Sequence, residues 1–196
     1  MIERGEFAEL HCLSNYSFLR GASHPEELVY KASDLGYSAI AITDECSYSG
    51  LVKAHVAAKQ CGIKLIVGAE FFVDIAHGEE KNSVENIIML APTRQAYGQL
   101  SAFISKIRRK NQKGNSYLCY EDCQIGLSDC LILWSPELQD IDIQVSVGHK
   151  LKTIFQHFWI TLELFQDGFD IDKTAQALTL SSRLNLRLVA SNNVQT

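Results

Sequence analysis

The chain has 196 residues, a formal net charge of −5, and 46% apolar against 21% charged residues. That balance belongs to a globular domain with a sizeable core and excludes a disordered or fibrous chain. A nucleic-acid binder acting alone is normally basic, so this chain by itself is not expected to hold DNA.

The opening Met1-Ile2-Glu3-Arg4-Gly5-Glu6 lacks the apolar core of a signal peptide. No apolar run is long enough to span a membrane. Six cysteines (Cys12, Cys46, Cys61, Cys119, Cys123 and Cys130) are scattered along the chain. Without a secretion signal they read as reduced thiols of a cytoplasmic protein. Cys119 and Cys123 have a spacing compatible with zinc, but no second pair matches them.

In chain order, Phe7 to Leu10 reads as the first buried strand. Ser23 then reads as a helix cap, with Pro25 in the first turn and Glu26 closing a capping box. Leu28, Ala32 and Leu35 share one face of that helix, and Gly36 ends it. Ser38 to Thr43 is a short buried strand. A helix from about Ser49 to Cys61 follows, stopped by Gly62. Lys64 to Val73 is the next strand, interrupted by Gly68. Ile87 to Leu90 is another, feeding a helix capped at Thr93 with an apolar stripe of Ala96, Leu100, Phe103, Ile104 and Ile107. The stretch from Lys110 to Asp129 is polar and reads as a loop with a short helix. Leu131 to Trp134, Trp159 to Leu164 and Leu186 to Ser191 are further strands. Helices are expected near Val147 to His157 and Ile171 to Asn185.

This rhythm predicts a single α/β domain over residues 1–196, with a parallel sheet and covering helices. Seven strand candidates favour a barrel. The chain stops at Ser191-Asn192-Asn193-Val194-Gln195-Thr196, at the end of an expected strand, and reads as part of something longer.

In such a barrel, reactive groups gather where strands end. His11 closes the first strand and Thr43-Asp44-Glu45 the second; Glu70 lies on the third, and Asn193 and Gln195 follow the last. A metal centre needs about three converging ligands. His11, Glu45 and Glu70 are the positions from which one weak site could be assembled. The plainer readings stand beside this one. His11 is a hydrogen-bonded structural residue, Asp44 orients neighbours or shapes a turn, and Asp167 is a turn residue. Glu70, in an apolar strand, must be paired with a cation or ligate a metal. Lys106 to Lys113 is the single basic run, most simply a solvated helix end whose cations suit the dipole. No Gly-rich phosphate loop, Gly-x-Ser-x-Gly elbow or His-Glu-x-x-His is present.

Glu9-Leu10-His11-Cys12-Leu13-Ser14-Asn15-Tyr16-Ser17-Phe18, continuing through Arg20-Gly21-Ala22-Ser23-His24-Pro25, resembles the start of the polymerase-and-histidinol-phosphatase (PHP) domain. The form it resembles stands at the N-terminus of bacterial error-prone DNA polymerases of the C family. Leu35 to Ser47 and Gly62 to Glu70 carry the same resemblance, and Leu90 to Thr93 and Val189 to Gln195 carry it more weakly.

The resemblance implies a distorted seven-stranded β/α barrel, truncated here at its C-terminal end. Metal-binding members use a His-x-His pair, a Thr-Asp-His, a strand glutamate and a late Asp-x-His. This chain keeps His11 and Glu70. It has Leu13 for the second histidine, Glu45 for the Thr-Asp-His histidine, and Asn193 and Gln195 for the late pair, while Arg20 stands where an aspartate is frequent. Losing even an outer partner of a metal ligand costs ~10–100-fold in affinity, so these changes imply no resident cofactor and no phosphoesterase or proofreading activity. The alternative is a residual Zn, Mn or Fe. Arg20 and the amides of Asn193 and Gln195 are expected to neutralise Glu70 and Glu45 instead.

The implied role is a non-catalytic domain of an error-prone DNA polymerase, used in replication, repair and translesion synthesis. Its partners would be the polymerase catalytic domains downstream and other damage-tolerance proteins, with DNA engaged only indirectly and no membrane. The two-metal carboxylate cluster of the resembled polymerases lies beyond Thr196. The competing implications are a stand-alone metal-dependent phosphoesterase and an inactive truncated relic.

Overall fold

A computed structural model describes residues 7–75 and 84–195. The elements follow one another as β1 (Ala8–Glu9), α1 (Pro25–Asp34), β2 (Ala39–Ile42), α2 (Leu51–Cys61), β3 (Lys64–Asp74), β4 (Val84–Ala91), α3 (Arg94–Lys110), β5 (Leu118–Cys119), a 3-10 turn (Tyr120–Gln124), β6 (Leu131–Ser135), α4 (Ile141–Ile154), β7 (Phe158–Glu163), α5 (Asp170–Leu184) and β8 (Leu188–Ser191). The strands lie in the order β1-β2-β3-β4-β6-β7-β8, and β5 pairs with β3 off this path. Past the ends of β1 and β8, Leu13 N–H donates to the Val194 carbonyl at 2.8 Å and Val194 N–H to the His11 carbonyl at 2.9 Å. The sheet is thereby drawn into a nearly closed seven-stranded barrel, as expected.

The sheet is not wholly parallel. β4 runs antiparallel to both β3 and β6. The chain between β3 and β4 is residues 75–83, and a parallel crossover needs about a dozen residues or more. β3 itself is continuous through Gly68. The glycine is needed for space: a Cβ there would lie 2.7 Å from Leu90 Cδ2 and 2.9 Å from Thr43 Cγ2.

Helix starts also depart from the sequence reading. The N-cap of α1 is His24, whose N–H donates to Glu27 Oε2 at 2.8 Å, so neither Ser23 nor Glu26 forms the box. The Ser23 carbonyl instead accepts from Asn15 N–H at 2.9 Å, which holds Ser23 in the preceding loop. α4 begins six residues before the expected Val147, at Ile141, because the Asp140 carboxylate accepts from the N–H groups of Asp142 and Ile143. Thr93 caps α3 as expected, accepting from Ala96 N–H at 3.1 Å. The basic run at the end of α3 is largely used inside the domain. Arg108 donates to the carbonyls of Glu45 and Cys46, and Lys110 Nζ lies 2.5 Å from Asp122 Oδ2.

The core has three parts. The largest lies between the sheet and α3, α4 and α5, around Phe71, Leu100 and Trp134. A second lies under α1 and α2 around Val29 and Ala54, and a third fills the barrel interior around Ile88 and Leu133. All six cysteines are free thiols. Burial pushes the Cys123 thiol up to about 12, which keeps it protonated and a poor metal ligand. None of the described helices is long and apolar enough to cross a membrane.

Candidate functional site

The C-terminal ends of the parallel strands carry a buried chain of ionisable groups. His11, just past β1, is fully buried between two carboxylates. Its Nδ1 lies 2.7 Å from Glu163 Oε1, at the end of β7, and its Nε2 lies 2.6 Å from Glu70 Oε2, on β3. Burial alone would favour the neutral ring. The carboxylates of Glu163 and Glu70 outweigh it and push the pKa up to about 9, so the imidazole carries its positive charge at neutral pH. Burial also acts against the Glu70 carboxylate, yet His11 and Arg20 hold its pKa below the usual range.

Arg20 caps this chain from the loop after β1. Its Nη1 bonds Glu70 Oε1, its Nη2 lies 3.3 Å from Glu70 Oε2, and Nη1 reaches Glu45 Oε2 at 3.4 Å. The guanidinium lies 4.9 Å from the Phe72 ring centroid. The loop that delivers it is tied down by Asp44. That buried carboxylate accepts from Ser14 N–H at 2.8 Å and from the hydroxyls of Ser14 and Ser17 at 2.7 Å each. Gly21 lets the loop fold back, since a Cβ there would lie 2.0 Å from the Ser14 carbonyl oxygen.

The remaining expected positions fall as follows. Leu13 is fully buried. Glu45 stands at the edge of the chain of groups, its Oε2 facing Arg20 at 3.4 Å and its Oε1 accepting from the Ser116 hydroxyl at 2.7 Å. Asn193 donates to Glu163 at 3.1 Å, not to Glu70 or Glu45, and Gln195 donates to Asn193 at 3.1 Å. The expectation that these amides neutralise Glu70 and Glu45 is therefore corrected. The reason is that β8 lies beside β7, which brings its end to Glu163. Asp167 stays in the exposed loop after β7, pairing with Lys173 at 2.9 Å and accepting from Phe169 N–H at 3.0 Å.

Two carboxylates escaped the sequence reading. Glu163 ends an apolar strand, which is the same signal that singled out Glu70. Glu9 is also buried, accepting from His11 N–H at 3.0 Å, the Ser191 hydroxyl at 2.7 Å and Asn192 N–H at 3.1 Å. Beside the chain of groups opens a polar cleft of about 470 Å³, lined by Arg20, Phe72, Asn86, Ser135, Glu163 and Asn193 among others.

The donor set does not fit a divalent metal as it stands. Both His11 ring nitrogens point at carboxylate oxygens, leaving no lone pair for a metal. Both Glu70 oxygens are engaged by Arg20. Among the described residues no three His, Cys, Asp or Glu side chains are grouped to hold a metal ion.

A nearly closed β/α barrel with polar groups collected at its C-terminal mouth is a fold that solved structures share. An amidohydrolase from Chromobacterium violaceum shares the fold, with a TM-score of 0.74 over 96% of this chain and 87% of that one, at 14% identity. A two-domain protein from Bacteroides vulgatus, described as containing a predicted PHP-like metal-dependent phosphoesterase, superposes with a TM-score of 0.60 at 14% identity, over 96% of this chain and 51% of that one. More particularly, the chain belongs to the PHP domain family, whose pattern matches residues 9–157. It is 51% identical over 194 residues to the error-prone DNA polymerase of Teredinibacter turnerae, covering 92% of this chain. It is 44% identical over 190 residues to that of Methylococcus capsulatus and 42% to that of Idiomarina loihiensis, covering 96% of this chain in each case. The chain spans about 17% of the length of each of these relatives, matching their N-terminal region.

Proposed function

We propose that this chain is a non-catalytic PHP domain of an error-prone DNA polymerase, supporting the polymerase core in cytoplasmic DNA replication and damage-tolerant synthesis. One observation carries the reading: His11 bridges Glu70 and Glu163 at 2.6 and 2.7 Å, and the Arg20 guanidinium pairs with Glu70. An imidazole and a guanidinium thus occupy the carboxylate oxygens that a metal would otherwise hold together. The catalytic domains would lie further along a polymerase-length chain, consistent with the much greater length of the relatives.

Metal analysis of the purified protein, with a phosphatase assay alongside, tests the claim. The expected result is less than about 0.2 equivalents of Zn, Mn or Fe after exposure to each, with no phosphoester turnover. Stoichiometric metal with turnover would replace this reading by a metal-dependent phosphoesterase. The open polar cleft beside Glu163 is the observation that favours that second reading.

A further inference from the structure

The barrel interior has an apolar mouth at the end opposite the polar cleft. There Leu10, Ile66, Leu90, Leu131, Trp159 and Val189 surround a cavity of about 370 Å³. Apart from Leu90, these side chains are only partly buried, although they pack on the fully enclosed interior residues.

The rim of this mouth is positive. Arg187 lines it, is exposed, and its guanidinium has no hydrogen-bond or ion-pair partner among the described residues. Lys64 is the first residue of β3 and Arg94 the first of α3, which follows the end of antiparallel β4. Both are exposed and stand at the same end of the barrel. Of the acids at this end among the described residues, Asp129 is engaged by the amides of Gln95 and Gln99 at 3.0 and 2.5 Å, and Asp34 lies at the outer end of α1. Arg187 is the one charged residue among those lining the cavity, and an unpaired cation at an apolar mouth marks a complement for an anion.

The chemistry of the occupant follows. Leucine, isoleucine, valine and indole walls offer almost nothing to hydrogen-bond, so a nucleobase edge or a sugar would be left unpaired inside. Whatever enters must be apolar in the hole and anionic at the rim. We propose that the N-terminal mouth of the barrel is a docking pocket for a partner-protein segment presenting a large apolar side chain beside a carboxylate. The apolar anchor displaces water from the cavity, and Arg187 meets the acidic neighbour. This is separate from the polar cleft and does not depend on whether that cleft holds a metal.

Trp159 in the wall provides the readout, since the only other tryptophan, Trp134, is fully buried. The probes are three capped tetrapeptides: two leucines between two glutamates, the same leucines between glutamines, and two alanines between glutamates. The expected result is a saturable change in Trp159 emission with the first peptide, at least fivefold weaker with the second and absent with the third. The signal disappears in Trp159→Phe. Arg187→Gln, at an exposed position that leaves the fold intact, brings the first peptide down to the affinity of the second. Equal binding of the first two peptides, an unchanged Arg187→Gln, or no saturation at millimolar peptide overturns the proposal. So does concentration-dependent dimerisation that Arg187→Gln abolishes, because the mouth is then covered by a second copy.

Discussion

His11 Nε2 lies 2.6 Å from Glu70 Oε2, with both side chains wholly buried. Neither group would be charged in that position alone; together with Arg20 and Glu163 they form an alternating chain of charges. Three consequences can be measured, and a further test concerns Glu85, which is buried apart from this chain.

The first is a pH dependence of stability. The His11 pKa rises from 6.5 to about 9 on folding. Its contribution is therefore fully present below about pH 6.5 and is lost as pH rises through 9. A rise of that size corresponds to roughly 3 kcal/mol. Urea unfolding between pH 6 and 9.5 should show this decline, and His11→Gln should flatten it. A wild-type profile that is level over that range would contradict the assignment of a protonated His11.

Arg20→Ala leaves the Glu70 carboxylate buried with His11 as its remaining cation. Breaking a fully buried pair costs about 3–5 kcal/mol. Arg20 keeps 25% of its side-chain surface in solvent, so a loss of roughly 2 kcal/mol is expected after screening. Arg20→Lys should recover only part, because an ammonium cannot bond both Glu70 oxygens as a fork. A loss under about 0.5 kcal/mol for Arg20→Ala would mean that Glu70 is satisfied without it.

Gly21→Ala and Gly98→Ala make an internal contrast. The new Cβ at position 21 would meet Ser14 backbone at 2.0 Å, whereas at position 98 nothing lies within 4 Å. Displacing the loop at Gly21 should cost about 3 kcal/mol and release Arg20 from Glu70. In mid-helix, Gly98→Ala should stabilise by about 0.5–1 kcal/mol. Thermal melts of the two variants moving in the same direction would refute the steric account of the loop.

Glu85 is buried on β4 and accepts from Trp134 Nε1–H at 2.8 Å. Burial, with Glu137 adding to it, pushes its pKa from 4.5 to about 7 against the pull of the Trp134 hydrogen bond. Its neutral form is favoured in the fold, so stability falls as pH rises from 4.5 through 7. Glu85→Gln keeps an acceptor for the indole and removes the ionisation. It should raise stability by about 1–2 kcal/mol at pH 8 and change little at pH 4. A stabilisation that is equal at both pH values would point to packing instead.

Local sequence determined most elements of this fold. The apolar runs, the Thr93 cap and the stops at Gly36 and Gly62 depend on neighbours within a turn or two, where the physics is visible in the chain. The early motifs carried the family as well. The reversal of β4 was not legible, because the strands expected at Lys64 to Val73 and Ile87 to Leu90 leave residues 74–86 between them, about enough for a parallel crossover. Only the tertiary structure decided the state of the site. Whether Glu70 ligates or pairs depends on Arg20, 50 residues away along the chain, and the state of His11 depends on Glu163, 152 residues away. Those distances collapse only when β1, β3 and β7 are gathered into one barrel. A buried charge takes its state from whatever partner burial brings to it.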